Sequence, residues 1–91
     1  MDFQIENNTA LNRFQTTVDG EVCVADYRIT EGVLTLTHTG VPPQLGGRGI
    51  AGALVQAVLD HARADGLKVR PACSYAAAYM KKRPETADLM A

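Results

Sequence analysis

The 91-residue sequence predicts an α/β (α+β) domain built on a mixed, mostly antiparallel sheet. Three observations predict it. Apolar and polar residues alternate through the first part of the chain between tight-turn signals, which is the period of half-buried strands. After a glycine-rich stretch the period changes to that of an amphipathic helix. A short strand and a short helix then follow. We therefore expect a single domain over residues 1–91.

The composition is that of a small globular protein. Nine basic and ten acidic residues give a formal net charge of −1, and 46% of the residues are hydrophobic. This charge gives no support for a nucleic-acid partner, and no apolar run approaches the ~20 residues of a membrane span. The N-terminal residues lack the pattern of a signal peptide, and the two cysteines lack metal-ligand spacing. We expect a reduced, cytoplasmic protein with no metal, nucleic-acid or membrane partner.

The first four predicted strands form an antiparallel meander. Asn7-Asn8-Thr9 is predicted as the first turn, Asp19-Gly20 is a strong hairpin signal, and Glu31-Gly32 is the next turn. Between them, the predicted strands cover residues 3–6, 12–18, 21–30 and 33–39.

Alternation assigns one face to each of the two central strands. On the third strand that face carries Cys23, Ala25, Tyr27 and Ile29. On the fourth strand it carries Leu34, Leu36 and His38.

The long helix is predicted from six apolar residues that fall within half of the helical wheel, namely Ile50, Leu54, Val55, Val58, Leu59 and Ala62. Asp65-Gly66 ends it. A strand over residues 67–70 stops at Pro71 and should run parallel to the fourth strand through a right-handed crossover. Ser74 can cap a second helix over residues 75–82, and Pro84 opens one or two further turns to residue 90.

The stretch over residues 41–52 predicts a pyrophosphate-binding loop. It joins a strand to the long helix, but it holds none of the Ser, Thr, Asp or Asn residues that usually cap a helix. Glycines lie there instead, and glycine lets backbone N–H groups converge on an anion at the positive end of the helix. Arg48 adds a formal positive charge and is a candidate phosphate contact.

Three phosphate-loop patterns compete for this stretch. A Walker loop needs a lysine after its glycines, and none is present. The dinucleotide pattern Gly-x-Gly-x-x-Gly occurs at Gly47, Gly49 and Gly52, but the acidic residue expected about 20 residues later is replaced by Pro71-Ala72-Cys73. The third pattern, Gln/Arg-x-x-Gly-x-Gly/Ala, fits the residues from Gln44 to Ala51.

This third pattern is the coenzyme A loop of the GCN5-related N-acetyltransferases, and the chain resembles the very short, single-domain members of that superfamily from about residue 12 to residue 89. Four elements in order carry the resemblance: His38-Thr39-Gly40-Val41-Pro42, Gly47-Arg48-Gly49-Ile50-Ala51, Val69-Arg70-Pro71-Ala72-Cys73 and Tyr79. The subfamily usually carries Glu where this chain has Gly40.

The resemblance implies a minimal acetyltransferase fold and acetyl-CoA as the cofactor. The acetyl–pantetheine arm would lie between two separated parallel strands, with the backbone of Val41 paired to it. The implied cofactor-binding residues are Val41, Gln44, Leu45, Gly46, Gly47, Arg48, Gly49, Ile50 and Ala51.

Three residues are candidates for catalysis. His38 ends the strand that enters the loop, and histidine can act as a general base near neutral pH. Cys73 precedes a helix N-terminus, which favours a thiolate, so it is a candidate acetyl-accepting nucleophile or a lining residue of the acetyl pocket. By resemblance, Tyr79 is the candidate general acid for the departing thiolate.

The sequence thus predicts an acetyl-CoA-binding N-acetyltransferase that moves an acetyl group to an amine. The alternative is a coenzyme A or acyl-CoA binding module without turnover. The acceptor is expected to be a small-molecule or protein amine, and the chain to be a monomer or a weak homodimer.

Overall fold

The computed structural model describes residues 3–91 and confirms the predicted fold class. Five strands form one sheet in the order β1-β2-β3-β4-β5, in which β1 to β4 are antiparallel and β5 is parallel to β4. The strands are β1 (Glu6–Asn8), β2 (Arg13–Val18), β3 (Glu21–Thr30), β4 (Val33–Gly40) and β5 (Lys68–Pro71). The helices are α1 (Ile50–Ala64) and α2 (Ser74–Lys81), with 3-10 turns at Pro43–Leu45 and Pro84–Leu89.

The first predicted strand is wrong in position. The structure places β1 at Glu6–Asn8, where a turn was expected, and the turn follows at residues 9–12. Tertiary contacts keep the two asparagines in the sheet. The Asn7 carboxamide accepts a 2.6 Å hydrogen bond from the Tyr27 hydroxyl, and the Asn8 carboxamide donates one to the Gln15 side chain of β2 at 3.3 Å.

The two predicted hairpin turns are confirmed. Asp19 and Glu31 have φ values of 51° and 52°, and the glycines that follow them have values of 77° and 78°. Two successive residues with positive φ form the turn whose twist matches that of the adjoining strands. The residues that flank the two turns therefore pair directly, Val18 with Glu21 and Thr30 with Val33.

The core lies between α1 and one face of the sheet. All six apolar residues predicted for the buried side of α1 are buried. They pack on the sheet face that carries Cys23, Ala25, Tyr27, Leu34, Leu36 and Val69. Ile29, which was predicted to share this face, is 46% exposed because it lies near the end of β3, where the cover from the helices ends.

A β-bulge at Thr37 reverses the face of the sheet to which the following side chains of β4 point. Tyr27 pairs with Leu36 but Asp26 pairs with His38, so that Thr37 is an extra residue in β4. Its hydroxyl donates to the Asp26 carbonyl oxygen at 3.2 Å. Strict alternation predicted His38 on the face of Leu36, and this is wrong, because the bulge turns His38 to the opposite face.

Beyond the bulge, β4 and β5 separate. Their parallel pairing runs from Val33 with Lys68 to Leu36 with Pro71, after which β4 continues to Gly40 beside β3 alone. The N–H groups of Ala72 and Cys73 both turn back to the Leu36 carbonyl oxygen, at 3.0 and 3.2 Å. A gap therefore opens in the sheet between the ends of these two strands.

Within residues 3–91, both helices pack on the same side of the sheet. We call the other side the open face; alternation places Arg28, Thr35 and Arg70 on it, and the bulge adds His38. In that same span of chain, no helix has the length and apolar character needed to cross a membrane.

The C-terminal turn is tied to α1 by a bidentate ion pair. The Arg63 guanidinium donates to the Asp88 carboxylate at 2.6 and 3.1 Å, which lowers the pKa of Asp88. Met90 then forms a parallel bridge with Val69, at the edge of β5. The predicted turns after Pro84 are thus confirmed as the 3-10 turn Pro84–Leu89.

Candidate functional site

The glycine loop, which we define as residues 41–49, joins β4 to α1. The 3-10 turn Pro43–Leu45 opens it, and Leu45, only 2% exposed, anchors it in the core. Gly47 and Gly49 have φ values of 83° and 80°, a conformation that side chains disfavour. At both positions the space that a Cβ would enter is free of other protein atoms within 4 Å. Ligand atoms can therefore approach this backbone closely.

The backbone N–H groups at the start of α1 have no protein acceptor. Gly49 is the N-cap residue, and no side chain caps the helix. Over residues 3–91, none of the N–H groups of residues 47–52 donates a hydrogen bond to backbone or side chain. Six consecutive donors thus remain available at the positive end of the helix dipole, an arrangement suited to phosphate.

These donors border a cleft of about 320 Å³. It is lined by residues of the glycine loop, by Ile50 and Ala51 in the first turn of α1, and by Tyr75 of α2. Val41, at the exit of β4, is partly buried against the core and also lines the cleft. The cleft therefore contains most of the predicted cofactor-binding residues.

The two long polar side chains of the loop contact the β2–β3 hairpin. The Arg48 guanidinium lies 3.0 Å from the Asp19 carboxylate, and the Gln44 carboxamide donates to Glu21 at 3.4 Å. Both side chains of the Arg48–Asp19 pair are substantially exposed, at 43% and 62%. The predicted phosphate contact of Arg48 therefore requires its guanidinium to leave, or to share, this carboxylate.

Cys73 lies where β5 ends and α2 begins, and it caps that helix. The predicted cap at Ser74 is wrong, because Ser74 is the first helical residue and the Cys73 sulfur accepts the Ala76 N–H at 3.4 Å. The sulfur also lies 3.4 Å from the Thr39 hydroxyl of β4. The thiol therefore sits at the gap between the two separated strands, on the helix side of the sheet.

Tyr79 is buried beneath the cleft. Its hydroxyl donates to the Gln56 carboxamide of α1 at 2.6 Å, and the Arg83 guanidinium lies 3.5 Å from the centre of its ring. Tyr75 lines the cleft instead, and its hydroxyl would be 3.3 Å from a Cβ added at Gly52. Gly52 thus gives Tyr75 room at the first turn of α1. The resemblance assigned the general acid to Tyr79, whereas for Tyr75 the sequence predicted only a packing or substrate-facing role; the structure places Tyr75 at the cleft.

Burial raises the pKa of Tyr79, and the nearby Arg83 charge offsets this only partly. The hydroxyl is therefore protonated at neutral pH. Because the folded-state pKa is raised, the stability this group contributes is complete below about pH 10 and is lost as the pH rises through the raised pKa. A phenolate absorbance titration should contain a component shifted to high pH that Tyr79→Phe lacks. An unchanged titration of the variant would contradict this assignment.

His38 lies on the open face, away from Cys73 and Tyr79. It is exposed, and its Nε2 occupies the space over Gly40, where a Cβ would be only 2.9 Å away. A side chain at position 40 would displace the imidazole. Of the three predicted catalytic residues, the structure thus places Cys73 at the gap, Tyr79 behind the cleft and His38 on the other side of the sheet.

Comparison with known proteins gives matches to a family, to curated proteins and to a solved structure. The family described as GCN5-related N-acetyl-transferase matches residues 13–89. Protein NATD1 of Gallus gallus is 32% identical over 85 residues, which cover 89% of this chain and 76% of that protein. Protein NATD1 of Homo sapiens is 31% identical, covering 89% of this chain and 74% of that protein. The solution NMR structure of a GCN5-like protein from Staphylococcus aureus has a TM-score of 0.78 and 29% identity, covering 98% of this chain and 88% of that one.

Proposed function

Since the chain belongs to the GCN5-related N-acetyltransferase family, we propose that it binds acetyl-CoA and transfers the acetyl group to an amine. One observation carries the proposal: at the start of α1, six consecutive N–H groups have no acceptor within the described chain, and four of them belong to residues that line the cleft, Gly47, Gly49, Ile50 and Ala51. A pyrophosphate fits these donors because Gly47 and Gly49 leave the approach to them open.

In this proposal the residues of the cleft bind and orient the cofactor. The N–H groups of residues 47–51 hold the pyrophosphate, Arg48 neutralises part of its charge, and Val41 offers its backbone to the pantetheine arm. The gap between β4 and β5 receives the thioester end. Bound acetyl-CoA supplies the acetyl group in activated form, as a thioester.

The transfer needs one proton removed and one proton supplied. The amine nitrogen forms a bond to the thioester carbonyl carbon, the carbon–sulfur bond breaks, and the sulfur leaves as a thiolate. His38 is the predicted acceptor of the amine proton, and Tyr79 the predicted donor to the thiolate. We add Tyr75 as a second candidate donor, because it lines the cleft. Cys73 lies at the gap as a candidate lining residue or nucleophile.

A coenzyme A binding module without turnover is the second candidate. It is favoured by the separation of the three predicted catalytic residues and by the engagement of the Tyr79 hydroxyl with Gln56. Both candidates predict that acetyl-CoA raises the unfolding temperature, since a ligand that binds only the folded state stabilises it.

Thiol release from acetyl-CoA distinguishes the two candidates. We expect release to depend on an added amine and to fall in His38→Gln, and in whichever of Tyr75→Phe and Tyr79→Phe removes the proton donor. Cys73→Ser keeps a good helix cap and tests the nucleophile alone. Stabilisation by acetyl-CoA without amine-dependent release would support the binding module. Stabilisation by ATP or NAD, but not by acetyl-CoA, would contradict both candidates.

Asp19→Asn is expected to tighten coenzyme A binding by roughly two- to fivefold, which is the effect of releasing an exposed ion pair. The variant frees the Arg48 guanidinium from its carboxylate partner. Asparagine also tolerates the positive φ of position 19, so the hairpin should keep its turn. Titration calorimetry at low and high salt measures the effect, which should shrink with added salt. Equal affinity of variant and wild type at low salt would show that Asp19 does not compete for Arg48.

A further inference from the structure

Two arginines and a threonine form one row across the open face. Arg28 of β3 pairs with Thr35 of β4, and Thr35 pairs with Arg70 of β5, so the three residues lie side by side on neighbouring strands. We call them the arginine row. With strands about 4.8 Å apart, the two arginine Cα atoms are separated by about 10 Å, within which two guanidinium groups can converge on one anion.

Thr35 is buried although no described helix covers its face. It is 6% exposed, whereas Arg28 and Arg70 are both exposed. The long side chains beside it in register account for its cover, since arginine lays its aliphatic stem on the sheet and keeps its charge in water. In the register, Arg28 and Arg70 therefore flank a residue with a small hydroxyl side chain, and no bulky residue lies between them.

Neither arginine of the row has a carboxylate partner among residues 3–91. The other cations near this face are engaged: Arg13 pairs with Asp26 at 3.3 Å, and the Lys68 ammonium donates to the Asp88 carbonyl oxygen at 2.6 Å. Two adjacent positive charges without a counter-charge favour an anionic ligand. They disfavour a polyamine or another doubly charged cation.

The row lies next to the gap through which the acetyl group would be reached. Leu36 and Pro71, the last paired residues before β4 and β5 separate, immediately follow Thr35 and Arg70. Because of the bulge, His38 is the next residue on the same face, three residues and at most about 10 Å beyond Thr35. A small molecule can therefore contact the arginine row and His38 together.

We propose that the arginine row binds the carboxylate of a small acceptor that carries both an amine and a carboxylate. The inference rests on the proposed function, because the amine of this molecule is the group that would receive the acetyl group. The row holds the carboxylate, and the amine points toward His38 and the gap. The acceptor is then a small amino acid. Analogues in which an amide or a second amine replaces the carboxylate are poor ligands.

Binding is tested first without chemistry, by following backbone NMR signals of the ¹⁵N-labelled protein. The probes are β-alanine, β-alaninamide and 1,3-diaminopropane, which share a three-carbon frame and differ at one end. We expect β-alanine alone to shift the signals of Arg28, Thr35 and Arg70 saturably. Arg28→Gln and Arg70→Gln should each weaken this binding about tenfold or more, the effect of losing a charge-assisted hydrogen bond.

Lys68→Gln is the matched control. It removes an equal charge from β5, the strand of Arg70, but its ammonium already donates to the Asp88 carbonyl oxygen, and no carboxylate loses its partner. In the thiol-release assay, the two row variants should raise KM for β-alanine about tenfold with kcat little changed, and leave acetyl-CoA affinity as in wild type. The control should keep the wild-type preference for β-alanine over its amide.

The outcomes separate this inference from the proposed function. If β-alanine binds saturably at the arginine row but acetyl-CoA does not bind, the proposed acetyltransferase function is contradicted and the carboxylate site is supported. If thiol release is faster with the diamine or the amide than with β-alanine, the carboxylate site is contradicted and the proposed acetyltransferase function is supported. Equal shifts with all three probes, no shift with β-alanine, or an equal loss in Lys68→Gln would each overturn the carboxylate site.

Discussion

Replacing Gly49 by alanine is expected to weaken coenzyme A binding by roughly ten- to a hundredfold, the equivalent of one or two lost charge-assisted hydrogen bonds. Gly49 caps α1 with a φ of 80°, and the methyl group would enter the open space through which, in the proposed function, a pyrophosphate would approach the free N–H groups. Titration calorimetry with coenzyme A measures the loss.

Gly66→Ala separates this effect from backbone strain. Gly66 ends α1 at the far side from the cleft, has a φ of 69°, and also has no protein atom within 4 Å of an added Cβ. Both variants should lose about 1–2 kcal/mol of stability to the left-handed conformation. Only Gly49→Ala should lose coenzyme A affinity. Equal affinities in the two variants would show that the glycine loop is not the pyrophosphate site.

Replacing Leu54 by alanine is expected to destabilise the fold by about 2–5 kcal/mol, because the cavity forms where α1 meets the sheet. Leu54 is fully buried in the middle of that interface. Each 1 kcal/mol lowers the unfolding temperature of a domain of this size by about 4–8 °C, so the unfolding temperature should fall by roughly 10–40 °C. Urea unfolding followed by circular dichroism measures the free energy directly.

Two other variants make this result specific. Leu54→Met keeps the volume and should lose less than about 1.5 kcal/mol. Leu11→Ala removes the same side chain from a position that is 57% exposed and should change stability by less than about 0.5 kcal/mol. A loss at Leu54 no larger than at Leu11 would contradict the described core.

The regular part of the fold was predictable because local pattern and tertiary packing agree there. The buried side of α1 was predicted residue for residue, since its apolar spacing at period 3.6 needs only one sheet face to cover it. The hairpin at Asp19-Gly20 was predicted because few residue pairs accept two positive φ values as readily, and the turn at Glu31-Gly32 was predicted from its glycine between two alternating strands. The family resemblance drawn from the loop motifs is likewise confirmed.

The irregular part needed contacts between distant residues. Asn7 and Asn8 signal a turn locally, but pairing with β2 and the Tyr27 hydroxyl holds them in a strand. Ser74 is the stronger cap by residue type, yet the position of the thiol at the end of β5 gives Cys73 that role. Neither outcome can be found from a window of neighbouring residues.

The candidate site was predicted in part. The glycines predicted the loop and its free N–H groups. The face of the sheet on which His38 lies depends on one unpaired residue, Thr37, that no alternation pattern reveals. The contact of Arg48 with Asp19 could not be predicted either, because it joins a hairpin turn to a loop that lies far along the chain.

The extra residue at position 37 affects both the path of β4 and the orientation of His38. It adds twist and bend to the strand just where the ladder with β5 stops, and it decides on which side of the sheet the imidazole stands. In the proposed function, the gap would receive one substrate and His38 would face the other, so the bulge would bear on both sites. A variant that removed Thr37 and regularised the strand would then change both at once.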